Sequence, residues 1–270
     1  MDFEFSLAHL TVLQCPPPEM ITIAAKAGYR YVSLRLTAVT SQEQTYPLMT
    51  NPSLMKETRA LLADTGLRVL DIELARMDPA TEPEHYQRFL EAGGELGARA
   101  LIAQLPDPDR ARATDRYARL CEMAQPFGLT VDLEFPSWTE TPDLKSAAAV
   151  LNAVQMPNAG ILVDTLHFDR SRSSLDDLRN LPREWFHFIH LCDAPKTIPA
   201  TTEGVIFTAR ADRYFPDEGE LDLNAMIACM PVVPYSLEIP NAALMKELGP
   251  AEYVRRAIRA AEKFLGGEKR

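Results

Sequence analysis

The sequence predicts an α/β barrel, and three observations carry that prediction. Short apolar runs alternate with longer amphipathic stretches across the 270 residues. A phrase of helix, glycine and strand-like run recurs at AGYRYVSL, TGLRVLDI, LGARALIA and FGLTVDLE, as in the αβ loops of a parallel sheet. The main competitor for alternating strands and helices is an open nucleotide-binding sheet. Its glycine-rich signatures, G-x-G-x-x-G and G-x-x-x-x-G-K-[ST], are missing from the chain. Together these give a single (β/α)8 TIM barrel, a fold for which this length is ordinary.

In chain order, strands are expected at residues 5–12, 31–36, 68–74, 98–105, 129–135, 160–166, 186–191 and 235–239. Helices are expected at 18–27, 52–65, 82–96, 110–126, 143–155, 175–180, 223–230 and 250–265. Gly28, Gly66 and Gly97 stand where the first three helices would end, and Gly128 follows the fourth. The 21 prolines cluster after strand-like runs and imply long, shaped loops. No linker, repeat or low-complexity stretch divides the chain. Residues 1–265 therefore read as one domain, and 266–270 as a frayed tail.

Hydrophobic residues at 46% and charged residues at 24% fit a soluble globular protein. The 28 basic and 38 acidic side chains leave a net charge of -10, which repels phosphate backbones and argues against a nucleic-acid partner. The opening MDFEFSLAHL does not read as a signal peptide. No run approaches the roughly 20 apolar residues of a membrane helix. Cys15, Cys121, Cys192 and Cys229 form no C-x-x-C, and the expectation is reduced thiols in a cytoplasmic protein.

Four late strands end on ionisable side chains. In TVDLE, Val131 and Leu133 share one face, Asp132 and Glu134 the other. Asp164 lies on the face of Leu162, His190 on that of Phe188, and Glu238 on that of Ser236. In a barrel, strand C-termini converge on one rim, so these four would point at a common centre. A glutamate at one strand end is ordinarily solvated or paired. Matching positions on successive strands call for a shared explanation. Three carboxylates around one centre repel, and a divalent cation removes that cost. Their oxygens with one imidazole suit Mn²⁺ or Mg²⁺, with Co²⁺ and Zn²⁺ also compatible, and open coordination positions would make the metal catalytic.

The segments VDLEFPSW, GILVDTLHFDRS, FHFIHLCDAP and SLEIPN resemble the xylose-isomerase-like TIM-barrel superfamily. It includes sugar isomerases and epimerases, inosose isomerases and dehydratases, and 3-dehydroshikimate dehydratases, with endonuclease IV as a distant relative. The resemblance spans almost the whole chain. It implies that Glu134, Asp164, His190 and Glu238 are the metal ligands and that Glu134 and Glu238 also act as an acid/base pair. It places His167 against substrate oxygens, which a regular strand allows only if the strand ends near Asp164 and the chain turns. Asp193, after His190, is then a supporting residue behind the ligands. The stretch ADRYFPDEGELD resembles the family's R…GEGELD loop, with Asp217 where a glycine is common. It makes Arg213 the candidate for gripping a substrate oxyanion, with Arg210 its rival. Arg35 faces inward on the second strand, as a substrate contact or in a buried ion pair. Trp138 forms a pocket wall or covers the rim. The long segment 194–218 is a candidate lid.

The resemblance implies an isomerase or epimerase of a small ketose, inosose or related polyhydroxy carbonyl compound, acting through an enediolate. A lyase of the 3-dehydroshikimate or inosose dehydratase type is the alternative, and a non-catalytic sugar-binding protein a lesser one. Endonuclease-type chemistry needs more histidines than His9, His85, His167, His187 and His190 supply. The expected partner is a small-molecule substrate, with no membrane partner. Relatives of this kind are commonly homo-oligomers.

Overall fold

The computed structural model describes residues 3–40 and 43–266. Eight parallel strands close into a barrel in sequence order, the last pairing with the first. They are β1 (Phe5–Leu7), β2 (Tyr31–Arg35), β3 (Arg68–Arg76), β4 (Ala100–Gln104), β5 (Thr130–Glu134), β6 (Ala159–Asp164), β7 (Ile189–Leu191) and β8 (Tyr235–Leu237). The helices are α1 (Pro17–Ala27), α2 (Pro52–Thr65), α3 (Gln87–Leu96), α4 (Arg110–Ala124), α5 (Leu144–Val154), α6 (Thr165–Arg170), α7 (Leu175–Arg179), α8 (Thr202–Ala211), α9 (Leu223–Ala228), α10 (Ala242–Leu248) and α11 (Pro250–Gly266). The expected (β/α)8 TIM barrel is the fold observed. No described helix is long and apolar enough to cross a membrane.

Strand alternation divides the apolar residues into two cores. One face packs outward against the helices, as with Val131 and Leu133 of β5 and Ile161 and Val163 of β6. The other face fills the lumen with Tyr31, Leu70, Ala100, Ile102, Leu162 and Phe188. The lumen is therefore packed rather than open, and the inward positions above this floor are free for polar groups. Gly28 (φ 96°) ends α1, and its backbone N–H closes onto the carbonyls of Ala24 and Ala25 before the chain enters β2.

Several element boundaries differ from those expected, each for a local reason. The stretch 5–12 is a strand only to Leu7, and His9–Val12 form a 3-10 turn. The Thr11 hydroxyl donates to the Leu237 carbonyl and accepts from the Ile239 N–H, so the turn braces the end of β8. β3 runs two residues beyond Leu74, with its register shifting against both neighbours. β6 stops at Asp164 because the Asp164 side chain caps α6, accepting from the Leu166 and His167 N–H groups. β7 is shorter than expected. The segment 194–218 holds α8, and α10 follows β8; neither was anticipated. Of the expected tail, Gly266 belongs to α11 and residues 267–270 lie outside the described residues.

The loop after α8 is pinned by one carboxylate. Asp193, just beyond β7, is 2% exposed and accepts from the N–H groups of Ala194, Asp217, Gly219 and Leu221. Asp217 sits at φ 73°, the left-handed region that favours glycine. Its aspartate is tolerated there because a short polar side chain bears that conformation better than a branched one. Asp217→Gly is therefore expected to fold at least as stably as the wild type. Asp217→Val is expected to lose about 1–2 kcal/mol. Urea-denaturation midpoints give the comparison, and equal midpoints for the two variants would show that the loop does not hold this conformation.

Candidate metal centre and active site

Glu134 ends β5, Asp164 ends β6, His190 is central in β7 and Glu238 follows β8. All four are buried, and one ligating atom from each lies within 4.8 Å of the others. Strand register produces the cluster, with Asp164 opposite His190 and His190 opposite Ser236, two residues before Glu238. The His190 Nδ1 atom lies 3.4 Å from Glu238 Oε2, 3.6 Å from Asp164 Oδ2 and 3.8 Å from Glu134 Oε1. Neither ring nitrogen has a hydrogen-bond partner among the described residues. An unpartnered buried imidazole nitrogen facing three carboxylate oxygens is the donor set of a divalent cation, so the residues present fit one.

Electrostatics separate the three carboxylates. Burial and the charge of Glu238 push the Glu134 pKa up to about 7, against the pull of His190 and a 2.6 Å hydrogen bond from Gln104 Nε2. Burial opposes the charge on Asp164, but Arg213, His167 and His190 hold its carboxyl well below the usual range. Burial likewise opposes Glu238, and His190 with Arg213 keeps it ionised. The same carboxylates raise His190 well above its ordinary value despite burial.

The remaining candidates fall into two groups. His167 reaches the centre because the chain turns at Asp164, and its Nε2 lies 3.9 Å from Glu134 Oε1. Burial, with Arg213 nearby, lowers its pKa to about 4. Its Nδ1 is buried without a partner among the described residues. The half-buried Trp138 meets the His167 ring edge-on at 5.1 Å and lines the same cavity. Arg213 and Arg35 are already engaged by protein carboxylates. Arg213, 2% exposed, donates to Asp164 Oδ2 at 2.6 Å and meets Glu238 Oε2 at 2.8 Å. Its Nε bonds the Ala209 carbonyl. Arg35 forms a buried ion pair with Glu73 at 2.7 Å, and Glu43 lies 3.3 Å from its other nitrogen. Arg210 lines the cavity from the last turn of α8.

The sequence did not point to several residues of the cavity, Gln104, Glu73 and Arg76 among them. Gln104 and Glu73 obey the rule that selected the ligands, polar side chains near strand C-termini. They stand on β3 and β4, ahead of the late strands that end on the four ionisable groups. Arg76 was hidden because β3 extends past its expected end.

Residues 21–264 match the model of the xylose isomerase-like TIM barrel family, and the chain belongs to that family. It is 23% identical to an inosose isomerase of Bacillus licheniformis over 163 residues, 57% of this chain and 56% of that protein. It is 27% identical to a 3-dehydroshikimate dehydratase of Pseudomonas aeruginosa over 207 residues, 69% of this chain and 31% of that protein. The chain thus spans about half the length of the first of these relatives and a third of the second. Among solved structures, an IolI protein with a bound zinc atom superposes with a TM-score of 0.81 at 18% identity, covering 98% of each chain. A probable 3-dehydroshikimate dehydratase, AsbF of Bacillus anthracis, gives 0.76 at 16% identity, covering 96% of this chain and 98% of its own. These superpositions establish the fold.

The raised Glu134 pKa has a thermodynamic consequence. Without metal, Glu134 holds its proton more tightly in the folded protein than in the unfolded chain between 4.5, the ordinary carboxylate value, and about 7. Its contribution to stability therefore falls as pH rises through that window, and the full cost is present above it. Glu134→Gln removes the ionisation. The metal-free variant is expected to exceed the metal-free wild type by about 1–3 kcal/mol near pH 8, with the gap closing towards about pH 5. Urea denaturation of metal-stripped samples measures this, and a gap independent of pH would contradict it. Metal affinity of the wild type should rise with pH through about 7, because Glu134 would have to lose its proton to become a ligand.

Proposed function

We propose that this chain is a divalent-metal-dependent isomerase or epimerase that moves a proton at a carbon next to a carbonyl in a small polyhydroxy compound. The observation that carries this reading is the buried cluster of Glu134, Asp164, His190 and Glu238, of which Glu134 and Glu238 line the cavity. Family membership and relatives named inosose isomerase support a ketose or inosose as substrate. Three hard carboxylate oxygens with one imidazole favour Mn²⁺ or Mg²⁺. Co²⁺ and Zn²⁺ are also accommodated, and the zinc in the IolI structure is in keeping with that. A cation bound there supplies positive charge for the oxygen that becomes negative as the carbon loses its proton.

The protein's own groups move the proton. Glu134 and Glu238 both reach the cavity from different strands, one to take the proton and the other to return it. Their surroundings differ in the way an acid/base pair requires: Glu134 contacts the neutral Gln104, Glu238 the cationic Arg213. Arg213 acts here as a positioning residue, fixing Asp164 and Glu238. His167 offers an imidazole to substrate oxygens, and Trp138 walls the cavity behind it.

A dehydratase is the second reading. It begins with the same proton abstraction, after which a β-hydroxyl leaves and is protonated to water. The arginines lining the cavity favour it, because a substrate carboxylate needs cationic partners.

Glu238→Gln tests the shared first step. The variant should stay folded and keep much of its metal while kcat falls by about 10²–10⁴-fold against a panel of ketoses and inososes. Near-normal turnover by a folded, metal-loaded variant would overturn the assignment of Glu238.

A further inference from the structure

The cavity at the barrel mouth is partly open to solvent, and four arginines line it. Arg213 and Arg35 are committed to Asp164, Glu238, Glu73 and Glu43. The other two are not. Arg76, half-buried as the last residue of β3, makes no ion pair and no side-chain hydrogen bond among the described residues. Arg210, more exposed at the end of α8, makes none either. They come from separate parts of the chain and face one cavity beside Arg35. Burial lowers the Arg210 pKa; Glu43 opposes that fall, and the charges of Arg35 and Arg76 add to it.

A single arginine on an acidic protein is ordinarily solvated. Two unpaired guanidinium groups converging on a concave surface next to a third repel one another, and an anion bridging them removes the repulsion. A guanidinium also presents paired N–H groups in a fork that matches the two oxygens of a carboxylate or phosphate. The ligand cluster takes the neutral oxygens of a substrate and uses up its own carboxylates, so it has no need of these arginines.

We propose that Arg76 and Arg210 form an oxyanion-binding subsite, so that the substrate is a polyhydroxy carbonyl compound carrying a carboxylate or phosphate. The inference rests on the proton-transfer reading for the chemistry at the other end of the cavity. It ranks a compound of this class that carries such an anion above its neutral counterpart.

Two measurements on the full chain test the subsite separately from the chemistry. In the first, the Mn²⁺-loaded protein is offered a neutral inosose, 3-dehydroshikimate and a ketose phosphate. One of the two anions should exceed the inosose in kcat/KM by at least about 10-fold, and which one does so identifies the oxyanion. Arg76→Gln and Arg210→Gln should each raise KM for that anion about 10–100-fold with a smaller change in kcat. Arg76→Lys should recover part of the loss. Equal use of the neutral inosose, with KM unmoved in both glutamine variants, would overturn the subsite and leave the proton-transfer reading standing. In the second, metal-stripped protein is titrated calorimetrically with shikimate, inorganic phosphate and myo-inositol. Binding of one anion but not of inositol, lost in Arg76→Gln, supports the subsite even if no compound in the first panel turns over, an outcome that would count against the proton-transfer reading alone. Anion binding that both variants retain in full would overturn it.

Discussion

Three carboxylates buried at one end of a barrel are the constraint on which the rest of this structure depends. Glu134, Asp164 and Glu238 sit close enough to repel strongly, in surroundings that solvate charge poorly. The compensation is built from the chain itself. Arg213 spans Asp164 and Glu238, and His190 faces all three carboxylates. Arg213 is in turn fixed by its backbone, whose N–H donates to the Pro240 carbonyl and whose carbonyl accepts from Asn241. Only Glu134 lacks a cationic side chain of its own, and it is the carboxylate whose pKa rises. The charge deficit at Glu134 is where a bound cation would act.

The same carboxylates also organise the backbone. Asp164 offers one oxygen to Arg213 and the other to the first N–H groups of α6. One side chain thus ends a strand, starts a helix and brings His167 towards Glu134. Asp193 works at longer range. Its two oxygens gather backbone N–H groups between Ala194 and Leu221, and an antiparallel bridge joins Asp193 to Tyr214. Arg213 is thereby held next to the carboxylates it neutralises. Loop order and charge balance are consequently one problem, and losing either should disturb both.

This coupling explains what the sequence could and could not reveal. The barrel was legible because period-two alternation and helix-ending glycines are local signals, and local signals do not depend on distant partners. The convergence of Glu134, Asp164, His190 and Glu238 was legible for the same reason: alternation and strand direction alone place them. The turn that delivers His167 was visible as a condition, because positions three apart on a strand face opposite ways. The arginines were not legible. Whether Arg213 meets a substrate or Asp164 is decided by a loop whose shape depends on four N–H groups meeting Asp193. Arg76 was obscured by register shifts that lengthen β3, a feature set by pairing with β2 and β4 rather than by its own residues.

The two sides of the cavity therefore carry different kinds of information. The side built by β5 to β8 presents the carboxylate and imidazole cluster, whose residues are constrained by one another and by the backbone they cap. Changing any one of them unbalances the charge of the rest, so this side answers to its own charge balance and says little about a particular substrate. The side built by β2, β3 and α8 presents Arg35, Arg76 and Arg210. Of these only Arg35 is held by protein carboxylates. Residues free of structural duty can vary with the ligand at little cost to folding. Specificity should be read from that side, because an unpaired arginine facing a cavity has no role in the charge balance that the barrel itself imposes.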